Sequence, residues 1–203
     1  MSSIIHYKNF DVSKMSITKP ESRDSGYVSK ITYEGHKLCI QTPDLCFSEG
    51  TISFKMVNKG RFFTLLEEIY EKLVDLLYTN SKTFFNGKNF SEKRIRESLK
   101  KIMVLEENGI VKLNVSKDDK NMKIYNRFKD QITYPQENFV GSCIFSFESL
   151  VFDRYSITPM IVVKCIKVTN IAKKKSKKCM FVENIDTCID TEIENLDSVP
   201  FFS

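Results

Sequence analysis

Apolar residues recur at every second position in the early chain, at every third or fourth in a middle stretch, and at every second again afterwards. VSKITYE (28–34), a turn at Gly35 and HKLCIQ (36–41) read as two strands of a hairpin or meander, ended by Thr42-Pro43. TISFKMV (51–57) sets Ile52, Phe54 and Met56 to one side and Ser53 and Lys55 to the other, as in a half-buried strand. The period then changes. Thr64 with Glu67 matches a capping box, and Leu65, Leu66, Ile69, Leu73, Leu76 and Leu77 share one helical face, predicting a helix to about Tyr78. Asn80 to Asn89 reads as a loop holding Phe84, Phe85 and Gly87. Ser91 predicts the cap of a second helix with an apolar stripe of Ile95, Leu99, Ile102 and Met103. Its opposite face carries Lys93, Arg94, Arg96, Lys100 and Lys101.

After Asn108-Gly109 the strand period returns. IVKLNVS (110–116) places Val111, Leu113 and Val115 inward. MKIYNRF (122–128) places Met122, Ile124, Asn126 and Phe128 on one side and Lys123, Tyr125 and Arg127 on the other. SCIFSFESLVF (142–152) and ITPMIVVKCIKV (157–168) are the most apolar segments and read as central strands. The order is three strands, a helical insertion over 62–104, then four strands. This predicts a mainly β fold with helices. The economical form is an OB-fold-like antiparallel barrel with two helices between its third and fourth strands, and a different β-sandwich fits the pattern too. The expected organisation is an N-terminal extension (1–27), a core (28–170), a basic linker (171–180) and an acidic tail (181–203).

Charge sharpens that division. The 203 residues hold 31 Lys+Arg against 26 Asp+Glu, yet residues 181–203 hold six carboxylates and no Lys or Arg. The remainder carries 31 basic against 20 acidic residues, a net +11. Such polarity suits a tethered polyanion that competes with a phosphate backbone for a basic surface, or a solvated terminus that aids solubility. An apolar fraction of 41% supports a real core, and no stretch reaches the roughly 18 apolar residues of a membrane span. The first residues lack the pattern of a secretory signal, so an intracellular, soluble protein is expected. Cysteines at 39, 46, 143, 165, 179 and 188 form no C-x-x-C pair, and Cys143 and Cys165 sit in apolar runs as small hydrophobes. No metal, cofactor or catalytic motif is indicated.

Binding chemistry is better represented. Unpaired nucleic acid needs cations for its backbone and flat rings for its bases. Lys123, Tyr125 and Arg127 offer both from one side of one strand, and Tyr33, Lys37, Lys55 and Lys112 are candidates to extend that surface. Alternation sends Lys30 and Tyr33 to opposite faces, and cross-strand packing is the competing role for Tyr125. The run at 173–178, with Lys173, Lys174 and Lys175, reads as a phosphate-contacting arm, an import signal, a linker, or a partner for the acidic tail. Asp197, Pro200, Phe201 and Phe202 form an acidic, aromatic tip suited to docking on a protein partner.

Several stretches resemble the single-stranded DNA-binding proteins of nucleo-cytoplasmic large DNA viruses, relatives of phage-type OB-fold replication proteins. They are Ile40-Gln41-Thr42-Pro43, Asn80 to Lys88 (NSKTFFNGK), Phe145 to Phe152 (FSFESLVF) and Pro159 to Lys164 (PMIVVK). Together they span roughly residues 28 to 168. The chain lacks Trp, so Phe84 and Phe85 stand where that family usually has an aromatic pair including Trp. DSVPFFS is also similar to the acidic Pro-Phe tips with which bacterial single-strand binders recruit replication enzymes. The resemblance implies an OB-fold and non-catalytic, sequence-tolerant binding of single-stranded DNA. It further implies a role in viral replication, recombination or repair, with replication or recombination proteins as partners of the tail. The expected location is viral replication sites in the host cytoplasm, or the nucleus, with packaging in the virion as a further option. A homo-oligomer is compatible with the pattern, through edge strands or the tail. The alternative reading is a virion structural or scaffold protein, and RNA fits the residue pattern as well as DNA.

Overall fold

A computed structural model describes residues 4–23, 26–48, 51–55, 60–85, 87–117 and 122–171. In chain order these form β1 (Ile4–His6), β2 (Met15–Ile17), β3 (Glu21–Arg23), β4 (Gly26–Tyr33), β5 (His36–Gln41), β6 (Leu45–Ser48) and β7 (Thr51–Lys55). Three helices follow: α1 (Gly60–Thr79), α2 (Ser81–Phe84) and α3 (Glu92–Ser98). The chain then returns to strands: β8 (Met103–Leu105), β9 (Ile110–Leu113), β10 (Ser116–Lys117), β11 (Lys123–Tyr125), β12 (Phe139–Phe152) and β13 (Ile157–Ile171). The molecule is mainly β.

All the strands belong to one sheet with the path β1-β5-β4-β12-β6-β7-β9-β8, to which β13, β10, β11, β2 and β3 attach. The ends of that path do not pair with each other among the described residues. β12 is the hub. Along one side it meets β6, then β5, then β4, and along the other it runs antiparallel to β13. A strand that serves three neighbours in turn must curve, and bulges supply the bend. The β12–β13 register shifts at Val140/Gly141, Ile144/Phe145 and Phe147/Ser149. Gly141 allows the closest approach, since a Cβ there would lie 2.5 Å from the Lys167 carbonyl oxygen.

The concave side is apolar. Phe139, Cys143, Phe145, Phe147 and Leu150 of β12 are buried there with Val163 and Ile166 of β13. α1 covers this side with Phe62, Leu65, Leu66, Ile69, Leu73, Val74 and Leu77. Phe62 meets Phe54 (ring centroids 5.4 Å apart), Phe145 (6.5 Å) and Tyr7 (5.7 Å). Arg96 ties α3 to α1 by pairing with Glu71, and also holds Glu92 of its own helix at 2.7 Å. Ser91 caps α3 as its sequence predicts, its hydroxyl accepting from the Arg94 N–H at 3.3 Å.

Several expectations are corrected. The fold begins well before Tyr27, because β1 pairs with β5 while β2 and β3 pair with β4, burying Phe10 and Met15. Strands of three residues are too short to print an alternation, so this region reads as polar chain. Seven strands therefore precede three helices, rather than three strands before two. Thr64 lies inside α1, where its hydroxyl donates to the Gly60 carbonyl at 3.0 Å instead of capping. α3 stops at Ser98, and Leu99 leaves it to bridge Ile157. Ile102 and Met103 then lead into and begin β8 rather than extending the helix. Phe128 is 69% exposed. The strand ends at Tyr125 because the Asn126 side-chain oxygen accepts from the N–H groups of Phe128 and Asp130, folding a turn. Met56 and all of 172–203 fall outside the described residues.

Candidate nucleic-acid interface

The convex side of the central strands carries the more polar half of the alternation, with Ile144 and Cys165 standing among Gln41, Ser142 and Lys167. Register places its side chains in rows across the strands. β11 runs parallel to β13, setting Tyr125 beside Lys167 and Lys123 beside Cys165. β12 continues these rows with Ser142 next to Lys167 and Ile144 next to Cys165, and β5 adds Gln41 next to Ile144. Between the rows lies an open groove of about 320 Å³ lined by Gln41, Tyr125, Lys129, Ser142, Cys143, Ile144, Cys165 and Lys167. No carboxylate belongs to that lining.

The aromatic and cationic groups have the accessibility that nucleic-acid contact requires. Tyr125 is half-buried, with Lys123, Lys129 and Lys167 exposed around it. Among the described residues none of these three lysines forms an ion pair. At the turn beyond β11 the Arg127 guanidinium lies 4.7 Å from the centre of the Phe128 ring, so a second ring and cation stand at the groove's end. Lys129 adopts φ 73°, a left-handed turn conformation.

The other predicted residues divide. Lys112 pairs in register with Ser53 of β7, and Lys55 lies two residues from Ser53 on the same face. That row continues through Cys46, Val140 and Asn170 onto β12 and β13, so Lys55 and Lys112 share the convex side with Tyr125. Lys112 is held by Glu106 at 2.7 Å. Lys37 shares Glu148 with Lys164, at 3.0 and 3.1 Å. Burial, the largest influence on Glu148, pushes its carboxyl up, but the combined hydrogen bonds and charges of the two lysines outweigh it and lower it.

Tyr33 is corrected. It is only 8% exposed, its ring lies 5.0 Å from that of Phe10, and Lys14 sits 5.8 Å from its centre while pairing with Glu34. This tyrosine is a packing residue. Lys173, Lys174, Lys175, Asp197, Pro200, Phe201 and Phe202 lie outside the described residues.

The motifs behind the resemblance have structural duties here. Thr42 pins the end of β5 to β12: the Cys143 N–H donates to its hydroxyl oxygen at 3.0 Å, and its own N–H donates to the Cys143 carbonyl at 2.9 Å. Burial pushes the Cys143 thiol up to about 12. Burial also raises Cys165, against the opposing charge of Lys123. Phe84 and Phe85 are not an exposed platform. Both meet Phe152 edge-on, at 6.4 and 6.0 Å, and Phe85 packs on Phe90 at 4.5 Å. Sequence reasoning passed over Lys167, Lys129, Gln41 and Ser142. The signal was present for Lys167, a cation breaking an otherwise apolar central strand, but its row depends on bulges that alternation does not reveal.

No protein-family model matches the chain, and no curated protein matches it. Among solved structures it is similar to the single-stranded DNA-binding protein from bacteriophage Enc34, with a TM-score of 0.42 and 8% identity, over 80% of this chain and 94% of that one. The same phage protein in complex with single-stranded DNA gives a TM-score of 0.40 and 8% identity, over 78% and 98%. Gp2.5, a single-stranded DNA-binding protein encoded by bacteriophage T7, gives 0.39 and 9%, over 84% and 95%. Among the described residues no cluster of His, Cys, Asp or Glu is arranged to hold a metal ion, and no helix is long and apolar enough to cross a membrane.

Proposed function

We propose that this chain binds single-stranded DNA, without catalysis and with little sequence preference, on the convex side of β5, β12, β13 and β11. One observation carries the reading: a groove that presents a tyrosine ring between lysines and contains no carboxylate in its lining. The ring suits stacking against a base of any identity, and the lysines suit the phosphates on either side. Lys55 and Lys112 stand farther along the same side toward β9, beyond the buried Ser53 and Cys46. The reading is supported by the residue pattern shared with the single-strand binders of large DNA viruses, which favours DNA and a role in replication, recombination or repair. On the same reading the curved sheet and its covering helix form a partly open barrel of the OB kind. The acidic segment 181–203 competes with DNA for the lysines and, once displaced, offers Phe201 and Phe202 to a partner.

Fluorescence anisotropy with an oligo-dT strand tests this. Tyr125→Ala weakens binding by roughly 1–3 kcal/mol. Lys123→Ala acts equally on all sequences and lowers the salt slope by about 1. Affinity that is insensitive to both substitutions and to salt overturns the proposal and favours a structural protein.

A further inference from the structure

β8 is an open edge. Among the described residues it pairs only with β9, in the register Met103↔Leu113, Val104↔Lys112 and Leu105↔Val111. The flanking bonds fix which backbone groups are already used. The Asn114 N–H donates to the Ile102 carbonyl, and the Glu106 N–H donates to the Ile110 carbonyl, both at 2.8 Å. Antiparallel bonding alternates, so residues 102, 104 and 106 face β9 while Met103 and Leu105 aim their N–H and C=O groups away from it. The side chains are exposed as well: Val104 is 47% and Leu105 49% accessible, on opposite faces of the strand.

Natural edges are commonly protected by charges that repel another strand. The charges around β8 do the opposite for one particular partner. The sequence is Lys100-Lys101-Ile102-Met103-Val104-Leu105-Glu106-Glu107, basic before the strand and acidic after it. Laid antiparallel on a second copy of itself, its lysines meet the copy's glutamates. The two-fold axis then passes through Val104, which faces Val104 of the other copy. Met103 lies opposite the copy's Leu105, and each such pair exchanges both backbone bonds with the groups that β9 leaves unused. Lys101 precedes the bend that enters the strand and Glu107 sits in the turn that leaves it, so the basic start of one copy lies near the acidic end of the other. Hydrogen bonding and apolar contact select this register, and the charges on either side of the strand favour the antiparallel direction.

We infer that β8 is a self-association edge, and that two copies of this chain pair through it antiparallel about Val104. The axis stands perpendicular to the sheet, so both convex faces point the same way. The row Ser53–Lys112–Val104 then continues into Val104–Lys112–Ser53 of the other copy. With strands about 4.8 Å apart, the two Lys112 positions lie about 14 Å from each other across the joint. If the chain binds single-stranded DNA as proposed, the two Lys112 side chains, each beside its own Glu106, stand on one side of the joint where a single strand can reach both. The strand is short and the dimer correspondingly weak, so it forms at high micromolar concentration and tightens when a strand bridges both copies.

Sedimentation of the full chain without nucleic acid tests the pairing separately from DNA binding. The expected result is a shift with concentration from the 23.6 kDa chain toward twice that mass. Leu105→Pro removes an outward N–H that β9 does not use, so it abolishes the shift while the circular dichroism spectrum is retained. Lys101→Glu and Glu107→Lys each suppress association, and the double variant restores it. With Cys165, Cys179 and Cys188 replaced by serine, Val104→Cys cross-links to its own copy under mild oxidation and the parent without it does not, since facing Cα atoms in a non-hydrogen-bonded pair lie about 4.5 Å apart. A chain that stays monomeric at every concentration overturns the inference. So does a dimer that survives Leu105→Pro, or one that Val104→Cys fails to trap.

Discussion

Two short stretches, Lys30-Ile31-Thr32-Tyr33 on β4 and Lys123-Ile124-Tyr125 on β11, each join a lysine, an isoleucine and a tyrosine. In the first the tyrosine is buried against Phe10, three residues from a lysine that alternation sends to the other face. In the second, lysine and tyrosine are two positions apart, so both stand on the convex side, and Lys167 comes alongside from β13. The isoleucines behave alike, Ile31 and Ile124 both packing inward. What differs is spacing and cover. A ring is open to a ligand beside its cation only where the two share a face and no other segment lies over it. Tyr33 loses on both counts because the chain around Phe10 folds over it.

The contrast can be broken at its foundation first. Phe62→Ala removes the ring on which Phe54, Phe145 and Tyr7 converge and lowers stability by about 3–5 kcal/mol in urea unfolding, with both tyrosines affected together. The two tyrosines then separate. Tyr33→Ala costs stability and leaves oligo-dT affinity of the folded protein unchanged. Tyr125→Ala leaves the unfolding midpoint nearly unchanged and weakens affinity. Matching behaviour of the two variants would contradict the account. Chemical probing sharpens the picture on the opposite face. Cys143, pushed up to about 12 and buried, resists alkylation at pH 8 in the folded protein, and mass spectrometry finds it labelled only after unfolding.

The smallest effect is acidic. Glu148 is lowered in the folded state by Lys37 and Lys164 despite its burial. Its stabilising contribution is therefore present above the unfolded carboxylate range and is lost as pH falls through the lower folded value. Lys37→Ala combined with Lys164→Ala flattens that part of the stability–pH curve. Both lysines lie mostly outside the groove, so DNA affinity changes less than with Lys123→Ala.

Sequence patterning was informative where an element is long and one-sided. The hairpin turning at Gly35, the buried stripe of α1, the Ser91 cap and the long strands β12 and β13 all follow from periodicity. β1, β2 and β3 were hidden because three residues complete too little of a period, and β6 because Leu45 to Ser48 follows a proline turn. Phe128 was misassigned because alternation was carried past Asn126, whose side chain ends the strand. On the convex face Lys123, Tyr125, Lys55 and Lys112 were legible as outward-facing residues of their own strands. Their meeting was not, because it depends on parallel pairing between β11 and β13 and on the bulges of β12. Local pattern says which side of a strand a residue takes. Only long-range register says whom it joins there.

On the proposed function, Tyr125 and the lysines around it hold unpaired bases. Photocrosslinking of the full chain to a single strand containing halogenated uracil, followed by peptide mapping, tests it most directly. The principal adduct is expected on the peptide containing Tyr125 and is lost at high salt. Adducts confined to α1 or to the residues around Tyr33, with none near Tyr125, would contradict it.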